Sequence, residues 1–134
     1  NLKKVNSLNT WRSFARKSIK HSKNFKLKIQ KLSKSHNIIG YGASARSSTL
    51  LNFCGINSKI IKKIIDKNKL KKNKYTPGSS IKIVNFDEEI KNIHKYSLVV
   101  ILAWNFEKEI IKDLKKNNFK GKFLLPLPNK LRLA

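Results

Sequence analysis

The sequence predicts an α/β domain of three layers, with helices on both faces of a parallel sheet of about five strands and a long amphipathic helix in front. Three observations carry this expectation. From residue 37 onward, short apolar runs alternate with helical stretches, the pattern of strand–helix–strand units with right-handed crossovers. The run Leu98-Val99-Val100-Ile101-Leu102 is apolar without alternation, as suits a central parallel strand covered on both faces. A glycine-bearing turn at Gly40-Tyr41-Gly42 falls between a short strand and a helix.

A chain of 134 residues, 40% of them hydrophobic, fits one domain with its own core. It begins at Asn1 and contains no methionine, so it is expected to be a piece of a longer protein. Cys54 is the sole cysteine. It excludes an intrachain disulfide, reads as a small buried apolar residue and fits a reducing, cytoplasmic setting. No apolar run approaches the roughly 18 residues of a membrane span, and the basic N-terminus lacks the apolar stretch and cleavage site of a signal peptide.

The formal net charge is +24, a field that attracts anions of every kind. The excess is nearly all lysine and is spread over the whole chain, with arginine only at Arg12, Arg16, Arg46 and Arg132. Arginine dominates forked recognition of phosphates and bases. Compositional bias combined with a phosphate-bearing ligand is therefore preferred to dedicated nucleic-acid binding.

In chain order, Trp11, Phe14, Ala15, Ile19, Phe25, Ile29 and Leu32 recur at mostly helical steps and predict a helix from Asn9 to about Ser35, with Asn9 or Thr10 as its cap. Residues 1–35 read as a linker helix packed on a neighbouring domain, and 36–134 as the α/β domain; membrane-surface binding is the less favoured role for the helix. Asn37–Tyr41 is the first strand. Ala45–Cys54 is a helix stopped by Gly55. Lys59–Ile65 is a second strand ending at Asp66, followed by a lysine-rich loop and the turn Thr76-Pro77-Gly78. Ser80–Val84 is a third strand. Asp87–His94 is a short helix whose acidic start, Asp87-Glu88-Glu89, suits the positive end of its dipole. Ser97–Ala103 is the fourth strand, Phe106–Lys116 a helix, and Gly121–Leu127 a last strand stopped by Pro126 and Pro128.

Gly40-Tyr41-Gly42-Ala43-Ser44-Ala45 matches G-x-G-x-x-A in a strand–turn–helix context, which makes the domain Rossmann-like. In such turns the first glycine permits the bend, the second lets backbone approach a pyrophosphate, and the small last residue allows close packing. Backbone N–H groups and the helix dipole favour an anion there. Asp66 ends the second strand near the usual offset of about 20 residues for the acid that bonds a ribose hydroxyl. A tight turn that binds nothing, with Asp66 as a helix or loop cap, is the structural alternative.

The stretch Ile39-Gly40-Tyr41-Gly42-Ala43-Ser44-Ala45-Arg46 with Thr49-Leu50-Leu51-Asn52 resembles the signature of the C-methyltransferase C-terminal domain. Three further blocks agree in order: Asp66-Lys67-Asn68 through Tyr75-Thr76-Pro77-Gly78-Ser79-Ser80-Ile81; Leu102-Ala103-Trp104-Asn105 through Glu109-Ile110; and Gly121-Lys122-Phe123 through Pro126-Leu127-Pro128. The resemblance spans about residues 36–129. Arg46 stands for the family's lysine, Ser47 for a glycine, Lys69 and Lys82 for prolines, and Lys72-Asn73 for Gln-Gly.

The resemblance implies an enzyme of three parts that methylates a ring carbon of a nucleotide-linked keto-deoxysugar. A zinc-binding part comes first, a middle domain binds S-adenosylmethionine, and this last domain helps to hold the sugar nucleotide. A base from the preceding part removes a proton beside the keto group, and the carbanion or enolate takes the methyl group. The zinc cysteines and a second nucleotide-type glycine motif are not in this sequence, so the piece alone is expected to be inactive. Its implied partners are the sugar nucleotide and the upstream methyltransferase domain.

Gly40, Gly42, Ala43 and Ser44 are then expected to line the phosphates or the adjoining sugar. Tyr41 either projects into the cleft or packs at the strand end. Arg46 either forks onto a phosphate or is a solvated charge. Tyr75, Pro77 and Gly78 shape a loop over the strand ends. Trp104 either stacks on a base or sugar or is a core aromatic. Asn105 is expected to cap the next helix, Asn52 to bond a neighbouring loop, and Glu109 to form a surface or interdomain ion pair. His21, His36 and His94 are dispersed and read as surface or packing residues. A stand-alone NAD(P)-binding module explains the glycine turn and Asp66 but not the Pro77-Gly78 and Trp104-Asn105 blocks. A nucleic-acid-binding protein explains the charge alone.

Overall fold

The computed structural model describes residues 8–126 and 132–133. In chain order it comprises α1 (Leu8–Ser33), β1 (Ile38–Tyr41), α2 (Ala45–Cys54), β2 (Lys63–Asp66), β3 (Lys82–Asn85), α3 (Phe86–Glu89), β4 (Leu98–Ile101), α4 (Glu107–Lys116), β5 (Lys122–Leu125) and β6 (Arg132–Leu133). 3-10 segments occupy Lys69–Lys71, Ile90–Lys95 and Trp104–Phe106. The sheet order is β3-β2-β1-β4-β5-β6. β1 to β5 are parallel; β6 joins the margin of β5 in the antiparallel sense, a strand the sequence reading did not contain.

Side-chain alternation divides the core between two layers. Ile38, Ile64, Leu98, Val100 and Leu102 face one side, where they meet Phe25 and Ile29 of α1 and Leu51 and Cys54 of α2. Ile39, Tyr41, Ile65, Val99 and Ile101 face the other, against Ile110 and Leu114 of α4. All four residues of β4 are buried, so its unbroken apolar run reflects cover on both faces. Burial pushes the Cys54 thiol up to about 11, against the opposing charge of Lys26.

α1 starts at Leu8 rather than behind a cap at Asn9 or Thr10. β2 is shorter than expected because Ile60 and Ile61 lie in a turn, their amides donating to the Asn57 carbonyl. Ile61 is nevertheless fully buried, which is why that stretch reads as strand. β3 starts two residues late, after Ser80 takes a positive φ of 55°. The predicted helix after β3 is one α-helical turn, capped by Asn85 onto the Asp87 amide, and then a 3-10 segment. Gly55, at φ 66°, ends α2 as expected. Of the closing block, Leu127 and Pro128 lie outside the described residues. Among the described residues no helix is long and apolar enough to cross a membrane.

Candidate functional site

β1 and β4 are neighbours, and from them the chain runs outward in opposite directions, to β2 and to β5. The loops after their carboxyl ends therefore part and leave a crevice, the usual ligand position in open α/β sheets. Three cavities open there. Ser44, Arg46, Trp104 and Asn105 border one of about 460 Å³. Tyr41, Gly42, Ala43 and Asp66 border a second of about 370 Å³. Pro77 borders a third of about 520 Å³, together with Asn52 and Lys71. All three share Ser44. Gly40, Tyr75 and Gly78 border none of them.

The glycine turn is held by internal bonds. Gly42 has a φ of 103°, and a Cβ there would lie 2.6 Å from that of Ala103; a side chain is excluded by both conformation and the β4 loop. Gly40 lies within β1, where its lack of a side chain makes room for Ile64 and Leu102. The Gly42 amide donates to the Ile65 carbonyl at 2.8 Å. The Ala43 amide donates to Asp66 Oδ2 at 2.9 Å. Asp66 Oδ1 accepts from the Asn68 amide. Lys71 closes the turn from above, its ammonium 2.5 Å from the Ala43 carbonyl and 3.5 Å from Asp66.

Ser44 caps α2 in a reciprocal box. Its side chain accepts from the Ser47 amide, while its own amide donates to Ser47 Oγ at 2.8 Å. Ser47 Oγ also donates to the Gly42 carbonyl at 2.7 Å. The Ala45 and Arg46 amides stand at the first two helical positions, where an α-helix offers no internal acceptor. The anion-favouring end of α2 is thus these two amides and the exposed Arg46 side chain.

Across the crevice, Trp104 and Asn105 lie in a 3-10 turn that follows β4 after Leu102 and Ala103. α4 is capped by Phe106 without a side-chain bond, so Asn105 is not its cap; the intervening 3-10 turn displaces the helix start and leaves Asn105 exposed on the rim. Trp104 is partly exposed rather than a core aromatic. Asn52 Nδ2 donates to the Pro77 carbonyl at 3.0 Å, and Gly78 leaves the space that the Asn52 amide fills. That contact ties the Pro77-Gly78 turn to α2. Tyr75 is exposed and bridges to Lys82.

Sequence reasoning missed Ser47, Lys71, Lys67 and Asp113. The Ser-x-x-Ser spacing of 44–47 is a legible capping signal. The Lys67–Asp113 pair at 2.8 Å joins residues far apart in sequence and leaves no local signature.

The topology, the glycine turn and the crevice define the class: a doubly wound α/β domain with an open crevice at the switch point of its parallel sheet. Comparison with known proteins narrows this. The profile of the C-methyltransferase C-terminal domain family matches residues 1–128, and the chain belongs to that family. It is 36% identical over 94 residues to C-methyltransferase NovU of Streptomyces niveus, a match covering 68% of this chain and 21% of that protein. The chain thus spans about a fifth of the relative it matches.

Proposed function

We propose that this domain holds a nucleotide-linked keto-deoxysugar for a cytoplasmic, S-adenosylmethionine-dependent C-methyltransferase. The observation that supports this best is the convergence of two of the family-like blocks, Arg46 (where the family has lysine) at the start of α2 and Trp104-Asn105 after β4, on one open cavity. The Ala45 and Arg46 amides, the helix dipole and the Arg46 guanidinium suit a diphosphate. Trp104 offers a face on which a ring can stack.

S-adenosylmethionine supplies the methyl group in this reading. The residues here fit that cofactor poorly: the carboxylate placed to receive its ribose, Asp66, already serves the Ala43 and Asn68 amides and Lys71. The cofactor is therefore assigned to the part of the enzyme outside this chain, and the domain alone is expected to transfer no methyl group. The exposed apolar start of α1, with Trp11, Phe14 and Ile19, is assigned to contact with that part.

Ligand-induced shifts in thermal midpoint test the reading. Thymidine or uridine diphospho-sugars are expected to raise the midpoint, and NADH and S-adenosylmethionine to leave it unchanged. Stabilisation by NADH alone would identify a dinucleotide module instead.

A further inference from the structure

The outward side of α2 carries an apolar groove beside the crevice. The inward residues of the helix, Ser47, Leu51 and Cys54, are buried in the domain. On the other side Ala45, Arg46, Thr49, Leu50 and Phe53 recur at helical spacing. With Trp104 they line a space of about 430 Å³. The Thr49 hydroxyl is bonded back to the Ala45 carbonyl at 2.9 Å, so Arg46 brings most of the polarity there. Phe53 is 59% exposed. A ring left so open adds little to folding, because the area it removes from water is small. Together with its apolar neighbours it forms a surface suited to being covered.

Shape, charge and chain length decide what covers it. A concave space of this size admits a projecting side chain, which a flat bilayer does not offer. α1 packs on the same face of the sheet as α2, and its start adds Leu8, Trp11, Phe14 and Ile19 to the exposed apolar surface. Both helices carry basic residues, and neither contains an acidic one. The seven acidic residues of the chain all lie between Asp66 and Asp113. Two copies meeting through this face would bring like charges together, against a net charge of +24 on each. A covering protein must therefore bring apolar side chains within an acidic rim. The chain spans about a fifth of the relative it matches. Most of such an enzyme lies outside this domain, and a preceding part joins it at the α1 end.

We infer that the groove between α2 and Trp104, with the exposed start of α1, docks the preceding part of the enzyme through apolar side chains set in an acidic rim. This rests on the reading above that the methyl donor is held outside this chain, and it adds where the carrier of that donor sits. Ala45, Arg46 and Trp104 line both this groove and the neighbouring crevice cavity. A part seated here stands against the wall of the site it serves.

Hydroxyl-radical footprinting of this chain and of the full-length enzyme, both without ligand, tests it. Phe53 and Trp11 are expected to be oxidised about fivefold more slowly in the full-length enzyme, as residues at the core of an interface are. Leu133, on β6 at the far border of the sheet, should react equally in both. Phe53→Gln should leave the thermal midpoint of the isolated chain within about 2 °C. In the full-length enzyme it should lower the midpoint by about 4 °C or more, because docking stabilises the domain there. Phe53 oxidised at the same rate in both proteins, or an equal fall in both midpoints, overturns the inference. Protection of Trp11 without Phe53 also overturns it and leaves the α1 contact standing. Dimers of the isolated chain, or binding to anionic phospholipid vesicles, that Phe53→Gln abolishes give the groove another occupant and overturn it too. Protection of Phe53 in an enzyme that no sugar nucleotide stabilises upholds the docking face and overturns the sugar-nucleotide reading instead.

Discussion

Ser47 shows how one hydroxyl can organise a binding turn. It is fully buried, receives the Ser44 amide and donates to the Gly42 carbonyl. Removing it leaves the buried Gly42 carbonyl and the part-buried Ser44 amide without this partner, a loss of about 1–3 kcal/mol per group when taken singly, while the Ser47 amide still donates to the Ser44 cap. Ser47→Ala is expected to lower stability by about 2 kcal/mol in urea denaturation, and a change within roughly 0.5 kcal/mol would show that the box contributes little. At this scale the sequence revealed positions better than duties. Gly42 and Asp66 were legible as parts of a strand–turn–helix site. That Gly42 must be glycine because Ala103 presses on it, and that Asp66 bonds the Ala43 amide, depends on loops brought together from elsewhere in the chain.

The elements followed hydrophobic periodicity closely where burial is uniform. α2 has the expected bounds, and β1, β4 and β5 lie within their predicted spans. The reading erred where apolar residues are buried without being in a strand, as at Ile61, and where a helix tightens into 3-10 turns after α3. α1 carries the larger lesson. Its apolar stripe runs its whole length, but Phe25 and Ile29 are fully buried while Trp11 and Phe14 are 55% and 63% exposed. Periodicity reports a face that is able to pack, not which part of it has found a partner. Phe25→Ala is expected to cost about 3–5 kcal/mol. Phe14→Ser should stay within about 0.5 kcal/mol. Chemical denaturation of both variants checks the contrast, and equal losses would mean that the first half of α1 packs as firmly as the second.

The whole molecule is governed by topology and charge. Alternating strands and helices sufficed to read the parallel sheet. The antiparallel β6 was not read, because Pro126 and Pro128 signal a stop and pairing with β5 is a tertiary event. The net charge of +24 is distributed over a body with four side-chain ion pairs among the described residues, so lysines chiefly repel one another. Raising salt from about 0.01 to about 0.15 M shortens the screening length from roughly 30 to 8 Å. The thermal midpoint should rise over that range as self-repulsion is screened; a falling midpoint would mean that attractive pairs dominate.

The borders of the sheet carry a consequence of their own. β6 lies along β5 at one border, and at the other the segment 73–76 exchanges backbone bonds with Ile81 and Ile83. Bare β-strand flanks invite neighbouring molecules to add strands of their own and grow into fibrils. Here a lysine-studded loop lines the β3 flank, and the other flank ends in an edge strand of two residues, too short a template for a neighbouring copy to extend.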